Sequence, residues 1–137
     1  MKRFTLGPRA RFREKESRRV LKSASLGVAF PGLKSMSVEL SFFSPNGVTR
    51  SGQIKYVVNL DHARSVFRFD CPNKECVRGD FDLSDELARA VAARDTAASG
   101  EMCCRGWRNK DSVRKVYCRN ILRYKLRLAY RARNGSK

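Results

Sequence analysis

The chain has 137 residues, of which 42% are hydrophobic and 31% charged, and this length and composition are typical of one small globular domain. Lys and Arg number 30 against 13 Asp and Glu, which gives a formal net charge of +17 at pH 7. No run of about 18 uncharged apolar residues is present, so the sequence contains no candidate transmembrane helix. The basic N-terminus lacks the apolar stretch of a secretory signal. We therefore expect an intracellular protein, in the cytoplasm or another compartment and not secreted, and an arginine-rich targeting segment stays open.

Residues 1–35 form a basic N-terminal segment with few large apolar side chains. Phe12, Glu16, Val20 and Leu21 recur at helical spacing, which predicts one weak amphipathic helix. The alternative is an arm that is disordered until it meets a partner. We expect residues 36–133 to follow as a single α+β domain.

Three short strands are predicted next. Apolar and polar residues alternate over 38–42, a Ser-Pro-Asn-Gly turn signal occupies 44–47, and alternation resumes over 54–60. A third run, 66–69, is rich in aromatic and β-branched residues. Short connections between these strands predict an antiparallel meander.

The clearest helix signal covers residues 83–98. Asp80 or Asp82 can cap this helix, Asp85 and Glu86 suit its first turn, and Gly100 is a plausible stop. The fold class that follows is α+β, with a small antiparallel sheet and one main helix.

The C-terminal segment is ambiguous between helix and strand, and its periodicity favours a strand. In a strand, apolar and basic residues separate onto opposite faces, whereas a helix would scatter the apolar residues around its circumference. Residues 113–119 are the candidate partner strand. The apolar face is Leu122, Tyr124, Leu126, Leu128 and Tyr130, and the basic face is Arg123, Lys125, Arg127, Arg131 and Arg133.

Four of the five cysteines are candidate ligands of a structural zinc ion. Cys71 and Cys76 are separated by four residues, which is within the usual range for a metal-binding pair. Cys118 with Cys103 or Cys104 would complete a four-cysteine site that ties separate segments together. The alternatives are unligated thiols, disulfides, an iron–sulfur cluster or a redox thiol pair. An odd count of cysteines and the lack of a secretion signal disfavour disulfides.

Adjacent cysteines rarely both bind one ion, so one of the vicinal pair must be chosen. We favour Cys104, because Arg105 and Gly106 follow it and provide a small turn, with Cys103 as its substitute. Thiol pairs, β-hairpins and basic surroundings over residues 71–118 resemble a zinc-ribbon or zinc-knuckle module. The segment departs from the usual ribbon in having one wide pair and one split pair.

The excess positive charge is confined to the two ends of the chain. Residues 1–37 carry 10 basic and 2 acidic side chains (+8), residues 38–104 carry 8 and 10 (−2), and residues 105–137 carry 12 and 1 (+11). Like charges crowded at these ends repel one another, and binding to a polyanion relieves this repulsion. Phosphate backbones are the commonest polyanions in a cell. We therefore expect a nucleic-acid partner, with RNA slightly favoured because two basic ends suit folded RNA in a ribonucleoprotein.

Basic residues on one face of the last strand recur about every 6.6 Å, which suits contacts to successive phosphates. Trp107 is a candidate for stacking on a base, with core packing as the alternative. The candidate nucleic-acid contacts are Arg105, Trp107, Arg108, Arg119, Arg123, Lys125, Arg127, Arg131 and Arg133 in the C-terminal part, and Arg9, Arg11, Arg13, Arg18 and Arg19 in the N-terminal part.

No catalytic constellation stands out in the sequence. His62 is the single histidine and lies in a predicted turn, and no Walker-type phosphate loop is present. A zinc site closed by four cysteines would also leave no open coordination position for a substrate. We therefore expect a protein that is not an enzyme. The alternatives are an adaptor that docks an acidic protein, and a thiol redox or metal-handling protein that uses Cys103 and Cys104.

Overall fold

The structure is a computed structural model that describes residues 7–73, 76–107 and 116–132. It confirms the predicted α+β class, with a four-stranded antiparallel sheet, a two-stranded sheet and helices beside them. None of the described helices is long and apolar enough to cross a membrane. In chain order the elements are α1 Pro8–Lys22, α2 Leu26–Ala29, β1 Leu33–Phe43, β2 Arg50–Val57, β3 Arg68–Asp70, β4 Asp80–Asp82, α3 Ser84–Ala92, β5 Ala97–Cys103 and β6 Ile121–Tyr130.

The main sheet has the strand order β2-β1-β6-β5, and every neighbouring pair is antiparallel. The turn predicted after β1 is present, and Gly47 supplies its left-handed residue at φ 73°. The alternation over the C-terminal segment predicted a strand, and β6 confirms it. Because β6 pairs with β1 along its length, the basic C-terminal strand lies in the middle of the sheet.

One face of this sheet carries the hydrophobic core. Leu40 of β1 faces Tyr124 of β6 across the pair, and both side chains are buried. Leu26 of α2 and Leu87 of α3 are also fully buried in the same cluster. The alternation of β6 therefore directs Leu122, Tyr124, Leu126 and Leu128 into the core and leaves Arg123, Lys125 and Arg127 exposed on the opposite face.

The predicted three-stranded meander is wrong in its third strand. The segment after residue 66 does not join the main sheet, and β3 pairs instead with β4 in a separate hairpin. Asp80 and Asp82, which were expected to cap the following helix, are the first and last residues of β4. A strand of three residues is too short for alternation to reveal it or its pairing partner. Asp82 does accept the backbone N–H of Ser84 at 2.9 Å, while Asp80 lies 2.9 Å from the buried Arg68.

The predicted helix over 83–98 is wrong beyond residue 92. The chain leaves α3 through Arg94, whose φ of 53° is left-handed, and then runs into β5. Strand β5 pairs with the otherwise open edge of β6, and these ladder bonds override the helix propensity of an alanine-rich segment. Gly100 is not a helix stop but a residue of β5. It lies opposite Tyr124, where a Cβ would come within 2.6 Å of the phenolic oxygen.

The expectation that residues 113–119 partner the last strand is also wrong within the described part. The neighbours of β6 are β1 and β5, and Tyr117 makes only an isolated bridge with Trp107. Residues 113–115 lie outside the described residues. Backbone pairing with β1 was invisible to the sequence because about 80 residues separate the two strands.

Candidate metal centre

Four cysteines that are far apart in the sequence meet at the junction of the two sheets. Cys71 follows β3, and Cys76 lies in the same connection to β4. Cys104 follows β5, and Cys118 lies shortly before β6. The cluster therefore joins the small β3–β4 hairpin to the β5–β6 side of the main sheet.

The four sulfur atoms lie within 4.8 Å of one another, and all four side chains are buried. The Sγ atoms of Cys71 and Cys118 are 3.7 Å apart, and those of Cys76 and Cys104 are 3.6 Å apart. Tetrahedral zinc with Zn–S bonds of about 2.3 Å separates its sulfurs by about 3.8 Å. None of the five cysteines, all of which lie in the described part of the chain, forms a disulfide. The spacing and the donor set thus fit a metal ion held by four sulfurs.

Donor groups surround the sulfurs. The backbone N–H of Gly106 points to Cys104 Sγ at 3.4 Å, and the Asn73 side-chain amide donates to Cys118 Sγ at 3.4 Å. A longer contact of 3.9 Å runs from the Asn120 amide to Cys71 Sγ. Such donors stabilise negative charge on sulfur, which a metal-bound thiolate carries.

Two glycines form the wall of the cluster. A Cβ at Gly79 would lie 2.2 Å from Cys76 Sγ, and one at Gly106 would lie 2.4 Å from the same atom. Backbone hydrogen bonds link these glycines to the ligand segments, from Cys71 N to Gly79 O at 3.0 Å and from Cys118 N to Gly106 O at 2.9 Å. Gly106 had a role in the sequence prediction, whereas Gly79 was missed although it follows Cys76 by three residues.

Two of the clustered thiols, Cys71 and Cys76, have raised pKa values in the metal-free protein. The neighbouring Cys104 and burial both raise the pKa of Cys71. Burial, together with the charge of Cys71, raises the pKa of Cys76 to about 12. A cation that binds here must therefore displace protons, as metal binding to cysteine generally does.

The vicinal cysteines have different surroundings. Cys104 is 4% exposed and contributes its sulfur to the group of four, whereas Cys103 is the last residue of β5 and is exposed. Successive residues of a strand point to opposite sides, so the two thiols cannot face the same ion. The sequence could select Cys104 only through the small Gly106 that follows it.

Three of the five N-terminal candidate arginines contact residues outside α1. Arg13 lies 3.6 Å from Asp70, and Arg19 contacts Asp82 at 3.2 Å, so α1 is held against the β3–β4 hairpin by ion pairs. Arg9 reaches the backbone oxygen of Cys71 at 3.4 Å, and Arg18 pairs with Glu14. Arg11 is exposed and has no ion pair with a described carboxylate.

The C-terminal candidates are more exposed. Lys125 and Arg127 lie on the outward face of the main sheet, and neither forms an ion pair with a described carboxylate. Trp107 is half-buried, and its ring centroid lies 5.8 Å from the Arg78 guanidinium. Arg105, Arg119 and Arg131 are exposed, Arg123 pairs with Glu101 at 2.9 Å, and Arg108 and Arg133 lie outside the described residues.

The chain matches no protein-family model, no curated protein and no solved structure. The cluster of four cysteines is compatible with the zinc-ribbon-like module that the sequence resembles.

Proposed function

We propose that this protein is a non-enzymatic, zinc-stabilised nucleic-acid-binding protein, with RNA favoured over DNA. The observation that carries the zinc part is the set of four buried sulfurs within 4.8 Å of one another. Cys71, Cys76, Cys104 and Cys118 would hold the ion, which would supply folding free energy rather than chemistry because four protein ligands close its coordination.

The charge supports the nucleic-acid part of the proposal. Ion pairs neutralise Arg13 and Arg19 of α1, but the chain has 30 basic side chains for only 13 acidic ones, so carboxylates cannot neutralise them all. Pairs between exposed side chains contribute about 0–1 kcal/mol each, so phosphates can replace carboxylates at little cost. Phosphate contacts of this kind give affinity with little sequence preference.

Native mass spectrometry of the purified protein tests both parts together. We expect one zinc ion per chain and, without nuclease treatment, co-purifying nucleic acid. For a labelled RNA strand, about six phosphate contacts give a log–log salt slope of about −4. A metal-free folded protein would refute the zinc part. A flat salt response, or no binding at low ionic strength, would refute the nucleic-acid part.

The same preparation separates the alternatives. A nuclease-insensitive complex with an acidic protein would favour an adaptor. Rapid oxidation of Cys103 with Cys104, accompanied by loss of the metal, would favour a thiol redox or metal-handling protein.

A further inference from the structure

The outward face of the main sheet is the part of the described molecule that best suits a long anionic ligand. Register places Lys55 of β2, Glu39 of β1 and Lys125 of β6 in one row across this face. Arg123 and Arg127 lie in the two adjacent rows of the same face, and Arg50 lies one row beyond Arg123. Among the described residues, the face therefore carries five cations against two carboxylates, Glu39 and Glu101.

A groove of about 450 Å³ crosses this face. Ser41 of β1 forms part of its floor, between Arg50 and Gln53 of β2 on one side and Lys125 of β6 on the other, and the lining continues to Ser99 and Glu101 of β5. Neighbouring strands are about 4.8 Å apart, so β2 and β6, which flank β1, are separated by about 10 Å. This width accommodates one nucleotide, and the short floor residues leave space for its base.

We propose that this outward face binds single-stranded nucleic acid, with phosphates along β6 and an unpaired base in the groove over β1. The inference rests on the nucleic-acid-binding function proposed above. Lys125 and Arg127 are about 6.6 Å apart on one side of an extended strand, which suits successive phosphates of an extended single strand.

Phe43 provides an aromatic surface at one end of the groove. Its ring is 8% exposed because Arg123 and Arg50 cover it, with guanidinium carbons 4.5 Å and 5.8 Å from the ring centroid. Arg123 is held by Glu101 at 2.9 Å and by the Gly47 oxygen at 3.2 Å. Arg50 is the more distant cover and is exposed. A base would therefore displace Arg50 and stack on Phe43, and the released guanidinium would meet a phosphate.

Glu39 sets the orientation of the strand and disfavours a duplex. Its carboxylate repels a phosphate placed over β1 but accepts hydrogen bonds from the amino groups of a base. Gln53 donates to Glu39 at 3.2 Å and adds polar atoms on the same floor. A duplex keeps its bases stacked inside, so it could not place an unpaired base over β1.

Fluorescence anisotropy with a labelled single strand of about 12 nucleotides and its duplex tests the inference. For the single strand we expect Lys125→Glu to weaken binding about tenfold or more, which is about 1.4 kcal/mol. The matched control is Arg89→Glu on α3, an exposed arginine that makes the same change in net charge. Phe43→Leu should weaken single-strand binding about fivefold or more, whereas Phe43→Tyr keeps the aromatic face and should bind like the wild type.

The outcomes separate this inference from the function on which it rests. If the wild type binds but Lys125→Glu behaves like Arg89→Glu, or if the duplex binds more tightly than the single strand, the outward face is not the site. Lys125→Gln serves as a milder variant if charge reversal unfolds the sheet. If the wild type binds neither nucleic acid at low salt, the proposed function itself fails.

Discussion

Gly79 and Gly106 border the four sulfurs so closely that neither position has room for a side chain. The Cβ of an alanine at Gly106 would lie 2.5 Å from the backbone nitrogen of Gly79 as well as 2.4 Å from a sulfur. Since one of these neighbours is backbone, the clash cannot be relieved by rotating a side chain. These glycines bring the two ligand-bearing connections together.

Gly106→Ala should destabilise the protein by about 1–3 kcal/mol and weaken its hold on zinc, because the two connections must separate. Thermal unfolding and zinc release to a chromogenic chelator measure both effects. Gly52→Ala is the control, since its Cβ would have a nearest neighbour at 3.9 Å, Phe42 Cδ2. Equal zinc retention and stability in the two variants would contradict the packing argument.

The five thiols should fall into two classes. Cys103 is exposed, whereas Cys71, Cys76, Cys104 and Cys118 are buried together. We expect one thiol to react rapidly with an aromatic disulfide reagent in the native zinc-loaded protein, and the other four to react only after chelation. Cys103→Ser should abolish the rapid reaction and retain the metal, whereas Cys104→Ser should lose the metal. Rapid reaction of more than one thiol in the loaded protein would count against a closed site.

Helix α1 is an element held by charge more than by apolar packing. The Arg68 guanidinium lies under this helix, 3.9 Å from Glu16 and 2.7 Å from Asp70. Burial lowers the pKa of Arg68, but hydrogen bonds to Asp80 and Asp70 outweigh it, so the pKa is raised and the cation is retained. Phe12 adds a ring whose centroid lies 5.6 Å from the same guanidinium.

Asp82→Asn should loosen α1, because it removes the carboxylate that Arg19 contacts at 3.2 Å. An isolated helix of this length is marginal in water, so a weakened contact should appear as faster exchange of its amide hydrogens. Raising the salt concentration should have the same effect, while β1 and β6 stay protected. Asp61→Asn, at an exposed turn, is the charge-matched control. Uniform exchange across α1 and the sheet in all variants would refute docking by ion pairs.

At the scale of the whole molecule, the metal cluster and the sheet should unfold together on acidification. Metal-bound cysteines are thiolates, so zinc affinity and the stability that zinc provides are lost as pH falls. In the metal-free protein, the Cys76 thiol gives stability the opposite dependence on pH. The raised pKa of Cys76, about 12, contributes stability that is present below the unfolded value near 9 and is lost as pH rises through about 12.

Far-UV circular dichroism between pH 7 and pH 4, with and without a chelator, measures this linkage. We expect the zinc-loaded protein to unfold as zinc is released, and chelation at pH 7 to lower the free energy of unfolding by about 10 kcal/mol, enough to unfold a small domain. An acid transition at the same pH with and without chelator would show that the thiols hold no structural metal.

Local periodicity in the sequence was enough to predict several parts of this fold. Alternation identified β6 and its two faces, and it identified β1 and β2 with the turn between them, because the side-chain period of a strand is fixed within a few residues. Cysteine spacing identified Cys71 and Cys76 as a pair. The sequence also suggested a helix near Phe12, and α1 contains this residue and begins at Pro8, a favoured residue for the first turn.

Features that depend on partners far away in the chain became visible in the folded molecule. Residues 97–103 are a strand because the edge of β6 was open to them, and the short β3 pairs with β4 instead of extending the meander. Cys104 rather than Cys103 joins the sulfur cluster because the direction of β5 turns it inward. Arg13 and Arg19 of α1 form ion pairs with carboxylates of the β3–β4 hairpin. Charge counts along the chain cannot predict these pairs. In each case the deciding energy is a contact between residues far apart in sequence, which local patterns do not encode.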